Sequence, residues 1–284
     1  MRAPFAYYGG KAGLAPLIVA MLPPHRVYVE PVFGSGAVLF AKRPSVHEIV
    51  NDLDHNVVNF FRVLRERPED LEMACRLTPY ARAEYQASEL DEDLDDLERA
   101  RRFWTRVNQS FGKNSGHQTG FSVTCARTVS TASSQWSRIA RFRAVAERLQ
   151  RVVFECCDAA TLVERMAVTA DTAMYVDPPY LAETRRGRDR HRPGDYLCDM
   201  GLPEDHERLA AVLRATPAAV VLSGYPSPLY DRLYSDWWRV DVPVRVHASN
   251  AVKNGRGERT EVLWSNRALE DGRLDFAGAE ALRC

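Results

Sequence analysis

Short apolar runs alternate with longer amphipathic segments along most of the chain. Apolar runs at residues 27–29, 48–50, 152–155, 173–176 and 218–222 predict buried strands, and later runs predict strands at 238–247 and 260–264. Apolar positions at helical spacing predict helices at 14–21, 56–65, 138–149 and 202–215. This order predicts an α/β fold with a mostly parallel, doubly wound sheet that carries an antiparallel edge strand.

The first predicted strand leads into a glycine turn, Gly34-Ser35-Gly36, and then into a helix. A turn of this kind commonly holds a nucleotide-like ligand at the carboxyl end of the first strand of an open α/β sheet. The dinucleotide fingerprint needs a third glycine, and Leu39 occupies that position. The glycine turn therefore favours a nucleotide-like ligand but weakens the interpretation as a dehydrogenase.

An acidic residue follows each of the next three predicted strands. Asp52 comes about 20 residues after the glycines, where an acid can accept hydrogen bonds from both hydroxyls of a ribose. The alternative is that Asp52 caps the helix at 56–65. Asp158 follows the third strand, and Asp177 ends the fourth.

The fourth strand runs into Asp177-Pro178-Pro179-Tyr180. Each proline fixes its own φ, lacks an N–H and pushes the preceding residue out of the helical region. The result is a stiff turn that can present a carboxylate, backbone carbonyls and an aromatic face to a planar ligand. Those groups suit the amine and the ring of a nucleobase, while an ordinary turn after a strand is the alternative.

Charge is unevenly distributed, although the formal net charge is zero. Residues 84–98 contain eight acids and no Lys or Arg, whereas residues 99–151 contain eleven Lys or Arg and one acid. The acidic run at 91–98 predicts a solvated helix face. The basic segment that follows it predicts contact with a polyanion.

The basic segment includes a long stretch without hydrophobic periodicity, at 110–134, and a second arginine-rich stretch lies at 185–192. Loops of that length are usually functional or disordered, and basic and amide side chains suit contacts with the phosphates and bases of DNA. A mobile surface loop is the alternative. The candidate DNA contacts are Arg106, Asn108, Lys113, Asn114, Arg127, Arg185, Arg186 and Arg188.

Four motifs together resemble the Dam-like family of adenine-specific DNA methyltransferases. They are Tyr7-Tyr8-Gly9-Gly10-Lys11, residues 29–36 with the glycine turn, Asn51-Asp52, and Asp177-Pro178-Pro179-Tyr180, in the family's order. Tyr7 departs from the family, which often has Trp there. The arginine-rich stretch after Tyr180 and residues 68–150 match nothing in the family that we can align.

This resemblance implies a Rossmann-like domain at residues 1–67 and 151–284 that binds S-adenosyl-L-methionine, with a target-recognition insert at 68–150. It implies methyl transfer to the exocyclic N6 of adenine in double-stranded DNA, with no metal. The catalytic residues would be Asp177, Pro178, Pro179 and Tyr180, the last stacking on a flipped adenine. The cofactor-binding residues would be Tyr7, Lys11, Glu30, Phe33, Gly34, Gly36, Asp52, Asp158 and Asp177.

The residues leave three other functions open. A cytosine-N4 methyltransferase uses the same amine chemistry, and a similar turn serves methylation of RNA or of a protein amide. An inactive DNA-binding protein of this fold is the third. The intact Asp177 and glycine turn argue against the third.

Composition also predicts the cellular compartment and the partners of the protein. Hydrophobic content of 45% and charged content of 27% are ordinary for a soluble globular protein. Six cysteines show no metal-binding spacing, which favours reduced thiols in the cytoplasm. We expect no membrane span and a monomer that binds duplex DNA. A cognate restriction enzyme is a possible partner.

Overall fold

Eleven helices and eight strands make up the part of the chain that our computed structural model describes, namely residues 1–91, 93–110, 120–123, 131–166, 168–181, 200–245, 258–268 and 280–282. The strands are β1 (Val27–Glu30), β2 (His47–Asn51), β3 (Val152–Glu155), β4 (Thr172–Val176), β5 (Ala219–Gly224), β6 (Trp238–Arg245), β7 (Glu258–Ser265) and β8 (Glu280–Leu282). The helices are α1 (Ala15–Met21), α2 (Ala37–Ala41), α3 (His55–Glu66), α4 (Pro68–Leu77), α5 (Arg82–Ala87), α6 (Asp96–Gln109), α7 (Thr131–Ile139), α8 (Phe142–Leu149), α9 (Ala159–Arg165), α10 (Pro203–Ala215) and α11 (Pro228–Leu233).

The strands form one sheet in the order β3-β2-β1-β4-β5-β7-β6-β8. Strands β1 to β5 are parallel, and β7 is antiparallel to both β5 and β6. The predicted α/β fold with a mostly parallel sheet and antiparallel pairing at one side is confirmed. Strand β8, which pairs antiparallel with β6, was not predicted from the sequence.

Because β7 runs against its neighbours, its first residues reach the edge where β4 and β5 end. Gly224, the last residue of β5, is paired with Val262. Glu261 and Arg259 precede Val262 in β7 and therefore lie at the carboxyl edge of the parallel strands. The glycine turn, Asp52 and Asp177 lie at this same edge.

Helices pack on both faces of the sheet. On one face, Phe60 of α3 lies 5.8 Å from Phe103 of α6 and 5.9 Å from Phe142 of α8, measured between ring centroids. Helices α9, α10 and α11 cover the other face. Helices α6 and α8, which fall in the predicted insert, thus share the core of the sheet domain. The borders of a target-recognition insert stay a prediction.

Two local predictions were wrong. The acidic run at 91–98 does not form a solvated helix face: Asp95 caps α6 by accepting from the N–H groups of Leu97 and Glu98, so most of the run precedes the helix. The helix predicted at 138–149 is two helices. The N–H of Arg141 bonds to the carbonyl of Arg138, three residues back, and this tighter turn separates α7 from α8.

A buried ion cluster joins α2, β2 and α8. The Lys42 ammonium lies 2.7 Å from Glu48 Oε1, and the Arg148 guanidinium donates to both oxygens of the same carboxylate at 2.5 and 2.8 Å. Burial opposes ionisation of Glu48, but the hydrogen bonds from Arg148 and Lys42 outweigh it and lower the pKa of Glu48. The cluster fixes α8 against the second strand.

Within the described residues, every helix is too short or too polar to cross a lipid bilayer. The same residues contain no group of three His, Cys, Asp or Glu side chains arranged to hold a metal ion.

Candidate active site

A cleft opens at the carboxyl edge of the sheet. All of the cofactor-binding residues predicted from the sequence line it except Gly36. Pro178 and Pro179 of the catalytic turn also line it. The parallel strands therefore bring the predicted residues together, although their contact with a cofactor stays a prediction.

The glycine turn needs its glycines for two separate reasons. Gly34 and Gly36 have φ values of +50° and +69°, in the left-handed region that side chains disfavour. A Cβ on Gly36 would lie 2.4 Å from the Phe33 ring. Gly36 therefore shapes the start of α2, where it packs against the Phe33 ring.

Asp52 holds the glycine turn from the neighbouring strand end. Its Oδ2 accepts from the N–H of Gly34 at 2.7 Å, and its Oδ1 accepts from the N–H of Asp54 at 2.9 Å. The cap of α3 is Asp54, which accepts from the N–H of Asn56, so the alternative role of Asp52 as that cap is wrong. Burial, together with the Asp54 carboxylate, raises the pKa of Asp52 to about 7.

Asn51 fastens the ends of the first three strands to one another. Its side-chain amide donates to the carbonyls of Pro31 and Cys157, both at 2.8 Å, and its Oδ1 accepts from the N–H of Cys157 at 2.9 Å. Its own carbonyl accepts from the N–H of Phe33. Asn51 is buried, lines the cleft and braces the strand ends there, a role that the sequence analysis did not predict.

Two more predicted residues have partners inside the protein. Glu30 accepts from the Tyr28 hydroxyl at 2.9 Å, and burial raises the pKa of its carboxyl to about 8. Asp158 caps α9 by accepting from the N–H of Thr161, and it pairs with Arg208 at 3.0 Å. Both side chains still border the cleft.

Asp177 is held by contacts that converge on one of its oxygens. Oδ1 accepts from the Ser223 hydroxyl at 2.7 Å and from the Tyr180 hydroxyl at 3.3 Å, and it lies 3.0 Å from the Lys11 ammonium. Ser223 also lies 2.9 Å from the Tyr175 hydroxyl. None of these contacts to the carboxylate involves Oδ2, so the carboxylate is anchored through one oxygen, and Asp177 lines the cleft.

Lys11 joins the N-terminal segment to this carboxylate. Its ammonium donates to the Gly9 carbonyl at 2.7 Å and lies 3.3 Å from Glu261 Oε1. Burial disfavours the charge, but the carboxylates of Asp177 and Glu261 outweigh that effect and raise the pKa of Lys11. The Lys11 side chain is therefore held inside the protein, and only 7% of it is exposed.

Tyr180 is packed more tightly than a stacking residue was expected to be. It is 8% exposed, its hydroxyl donates to Glu261, and Lys11 lies over its ring at 4.9 Å. The Tyr225 ring meets it edge to face, with centroids 4.4 Å apart. Burial and the two nearby carboxylates raise its pKa well above the usual range.

The predicted DNA contacts divide into two groups. Arg106 is buried and donates to the Ser88 carbonyl, and Asn108 is buried between the Trp104 carbonyl and the Arg138 guanidinium. Both side chains are used within the protein, which argues against the predicted contact with DNA. The remaining candidates lie outside the described residues: Lys113, Asn114, Arg127, Arg185, Arg186 and Arg188.

Sequence reasoning missed Ser223, Glu261 and Tyr225. Ser223 is a lone polar residue near the end of an apolar strand, and Glu261 directly precedes the apolar run Val262-Leu263-Trp264 of β7. A buried charge requires a partner, and that was the available signal for Glu261. Tyr225 follows directly after β5, as Tyr180 closes the turn after β4.

Such a sheet, with a glycine turn after β1, an acid after β2 and Asp-Pro-Pro-Tyr after β4, defines a Rossmann-like methyltransferase. Residues 7–242 match the family described as D12 class N6 adenine-specific DNA methyltransferase, and the chain belongs to that family. It is also similar to the Type II methyltransferase M1.LlaDCHI of Lactococcus lactis subsp. cremoris. The two are 26% identical over 285 residues, covering 91% of this chain and 93% of the relative. The protein is therefore an adenine-specific DNA methyltransferase, and the cytosine, RNA, protein and inactive alternatives are set aside.

Proposed function

We propose that the protein transfers a methyl group from S-adenosyl-L-methionine to the N6 amine of an adenine flipped out of duplex DNA. The observation that carries this proposal is the one-sided anchoring of Asp177, at the end of β4 beside the cleft. The anchored oxygen fixes the carboxylate, and the other oxygen would accept a hydrogen bond from the target amine.

The charged residues that line the cleft suit this cofactor. The described lining carries a single cation, Lys11, and five acids: Glu30, Asp52, Asp54, Asp158 and Asp177. A cationic sulfonium fits such a lining better than the pyrophosphate of a dinucleotide does. Asp52 would hold the ribose, and Asp158 would accept from the cofactor's adenine amine.

The residues of the turn would act on the amine of the target base. S-adenosyl-L-methionine supplies an electrophilic methyl group when it is bound. Asp177 Oδ2 and the Pro178 carbonyl would accept the two amine hydrogens, which localises the nitrogen lone pair and orients it. The carboxylate would also stabilise the positive charge that develops on nitrogen. The flipped base enters the site from the duplex because the amine cannot be reached in the helix.

Single-turnover methylation of DNA at saturating cofactor and DNA tests this proposal. Asp177→Ala should lower the rate by about 10²- to 10³-fold, the scale for loss of one preorganised stabilising group. Asp177→Asn should retain part of the activity, because it keeps an acceptor without the charge. Asp171→Ala, at the exposed opposite end of the same strand, is the matched control. A rate for Asp177→Ala close to that of the control would refute the mechanism.

We also propose that a restriction endonuclease with the same target accompanies the enzyme, since the relative is named a Type II methyltransferase. Sequencing of methylated bases in DNA from cells that express the chain identifies the target. DNA from those cells should then resist endonucleases that cut at that target. Methylated adenines without a common sequence context would contradict a site-specific enzyme. Size-exclusion chromatography tests the predicted monomer.

A further inference from the structure

Beside the catalytic turn lies a basic and aromatic pair, Tyr225 and Arg259. The Arg259 guanidinium donates to the Tyr225 hydroxyl at 3.0 Å and lies 5.5 Å from the centre of its ring. Both residues are partly exposed, unlike Tyr180, against which the Tyr225 ring packs. A chain of direct contacts therefore runs from Asp177 through Tyr180 and Tyr225 to Arg259.

The strand positions explain why Arg259 reaches this place. Residues two apart in a strand point to the same face, so Arg259 projects on the same side of β7 as Glu261. Glu261 points inward to Lys11 and Tyr180. Arg259 lies two residues nearer the start of β7, at the carboxyl edge of the sheet. Its side chain contacts Tyr225, outside the buried cluster of Lys11, Tyr180 and Glu261.

The charge of Arg259 is not matched by a nearby acid. Among the described side chains, none of the carboxylates lies within 4.0 Å of its guanidinium, although thirteen other arginines in the same part of the chain have such a partner. Glu261, the nearest acid along the same face, is committed to Lys11 and Tyr180. The guanidinium therefore keeps its capacity to bind an external anion, and its planar fork matches a phosphate.

We propose that Arg259, held in place by Tyr225, binds a phosphodiester of the DNA strand that carries the target adenine. The inference rests on the proposed function and extends it, because it names a contact that positions the strand at the catalytic turn. Tyr225 is the positioning residue: its hydroxyl accepts from the guanidinium, and its ring is fixed by Tyr180. Phosphate contacts set the register of a protein on DNA without reading the sequence.

Binding of a short duplex of mixed sequence, measured across a range of salt concentrations, tests the contact. Arg259→Gln should weaken binding about tenfold, the effect of losing one charged hydrogen bond of about 1.4 kcal/mol. It should also make the slope of log affinity against log salt shallower by about 0.9, the effect of one lost phosphate contact. Tyr225→Phe removes only the hydroxyl that holds the guanidinium, so it should weaken binding less and leave the salt slope unchanged.

The control is Arg43→Gln, which removes the same charge from an exposed position after α2. It should leave both the affinity and the slope as they are in the unchanged enzyme. Cofactor binding by calorimetry shows that each variant is folded. An Arg259→Gln variant with the affinity and salt slope of the control would overturn the proposed contact. An unchanged enzyme that transfers no methyl group to adenine would instead overturn the proposed function, so the two failures are distinguishable.

Discussion

Ser223 and Asp177 are joined across two neighbouring parallel strands by a hydrogen bond of 2.7 Å from the serine hydroxyl to Oδ1 of the carboxylate. Ser223 lies near the end of β5 and is completely buried. Asp177 directly follows β4 and is 21% exposed. The buried strand thus supplies the donor that orients a carboxylate at the mouth of the cleft.

Ser223→Ala should slow the chemical step with little effect on cofactor affinity. Loss of one hydrogen bond of about 1–1.5 kcal/mol corresponds to roughly a five- to tenfold lower single-turnover rate. Tyr175→Phe, which removes the hydroxyl bonded to Ser223 but not to Asp177, should have a smaller effect. In the Asp177→Ala background the serine change should cost nothing further, because its partner is gone. Equal losses in both backgrounds would show that Ser223 acts only on the fold.

Cofactor affinity should rise with pH through about 7. The pKa of Asp52 is raised to about 7, so below that pH the carboxyl is largely neutral and is a weaker acceptor for hydroxyl donors. Binding to the anion therefore improves as the pH increases, by up to about tenfold per unit below the pKa, and levels off above it. Calorimetry between about pH 6 and pH 8 measures this dependence.

Asp52→Asn should flatten that pH profile and lower the affinity above neutrality. Glu30→Gln is the companion variant. Burial raises the pKa of Glu30 to about 8, so its titration overlaps that of Asp52 in the same pH range. The prediction is refuted if cofactor affinity still rises with pH in Asp52→Asn but no longer does so in Glu30→Gln. The pH dependence would then come from Glu30.

Asn51→Ala should reduce both stability and cofactor affinity. The change removes the partner of the buried Pro31 carbonyl and of both half-buried backbone groups of Cys157. Unsatisfied buried groups cost about 1–3 kcal/mol each, so a loss of about 3 kcal/mol on urea unfolding is expected. Asn59→Ala is the matched control, because Asn59 is buried and bonds to the Asp96 carbonyl away from the cleft. It should lower stability alone, and equal affinity losses in both variants would contradict the role of Asn51 as a brace.

Glu48→Gln should destabilise the fold by about 3–5 kcal/mol, because it leaves the charges of Lys42 and Arg148 buried without their counter-ion. The pKa of Glu48 is lowered in the folded state, so its contribution is present above the unfolded pKa of about 4.3 and is lost as the pH falls through the folded value. Glu66→Gln, in an exposed pair with Arg62, should change stability little. Urea unfolding at neutral and acidic pH compares the two variants.

Many residues of the candidate site could be predicted because they follow the ends of strands. An apolar run in the sequence predicts where a strand ends. Asp52 and Asp177 follow such runs directly, and the parallel order brings them to one edge. Ser223 and Glu261 could not be found in this way. Their roles depend on the pairing of β5 with β7, a contact between distant parts of the chain that no local pattern records.

The burial of Arg106 and Asn108 in α6 argues against the contact with DNA that their charge and amide groups predicted. Charged and amide residues in a sequence segment do not show whether their side chains are exposed. The second half of α6 is buried on all sides. In α6 every residue from Phe103 to Gln109 is buried. The polar side chains there satisfy backbone groups of the protein instead, as the bond from Arg106 to the Ser88 carbonyl shows.

The contact of Lys11 with Glu261 has a consequence for the enzyme during its synthesis. Almost the whole described chain lies between these residues, and a ribosome adding about 5–20 residues per second needs on the order of tens of seconds to make that stretch. Until β7 emerges and inserts beside β5, Lys11 lacks one of its two carboxylate partners and Tyr180 lacks the acceptor for its hydroxyl. Nascent chains are therefore expected to leave DNA unmodified, and the ability to methylate arrives in a single late event.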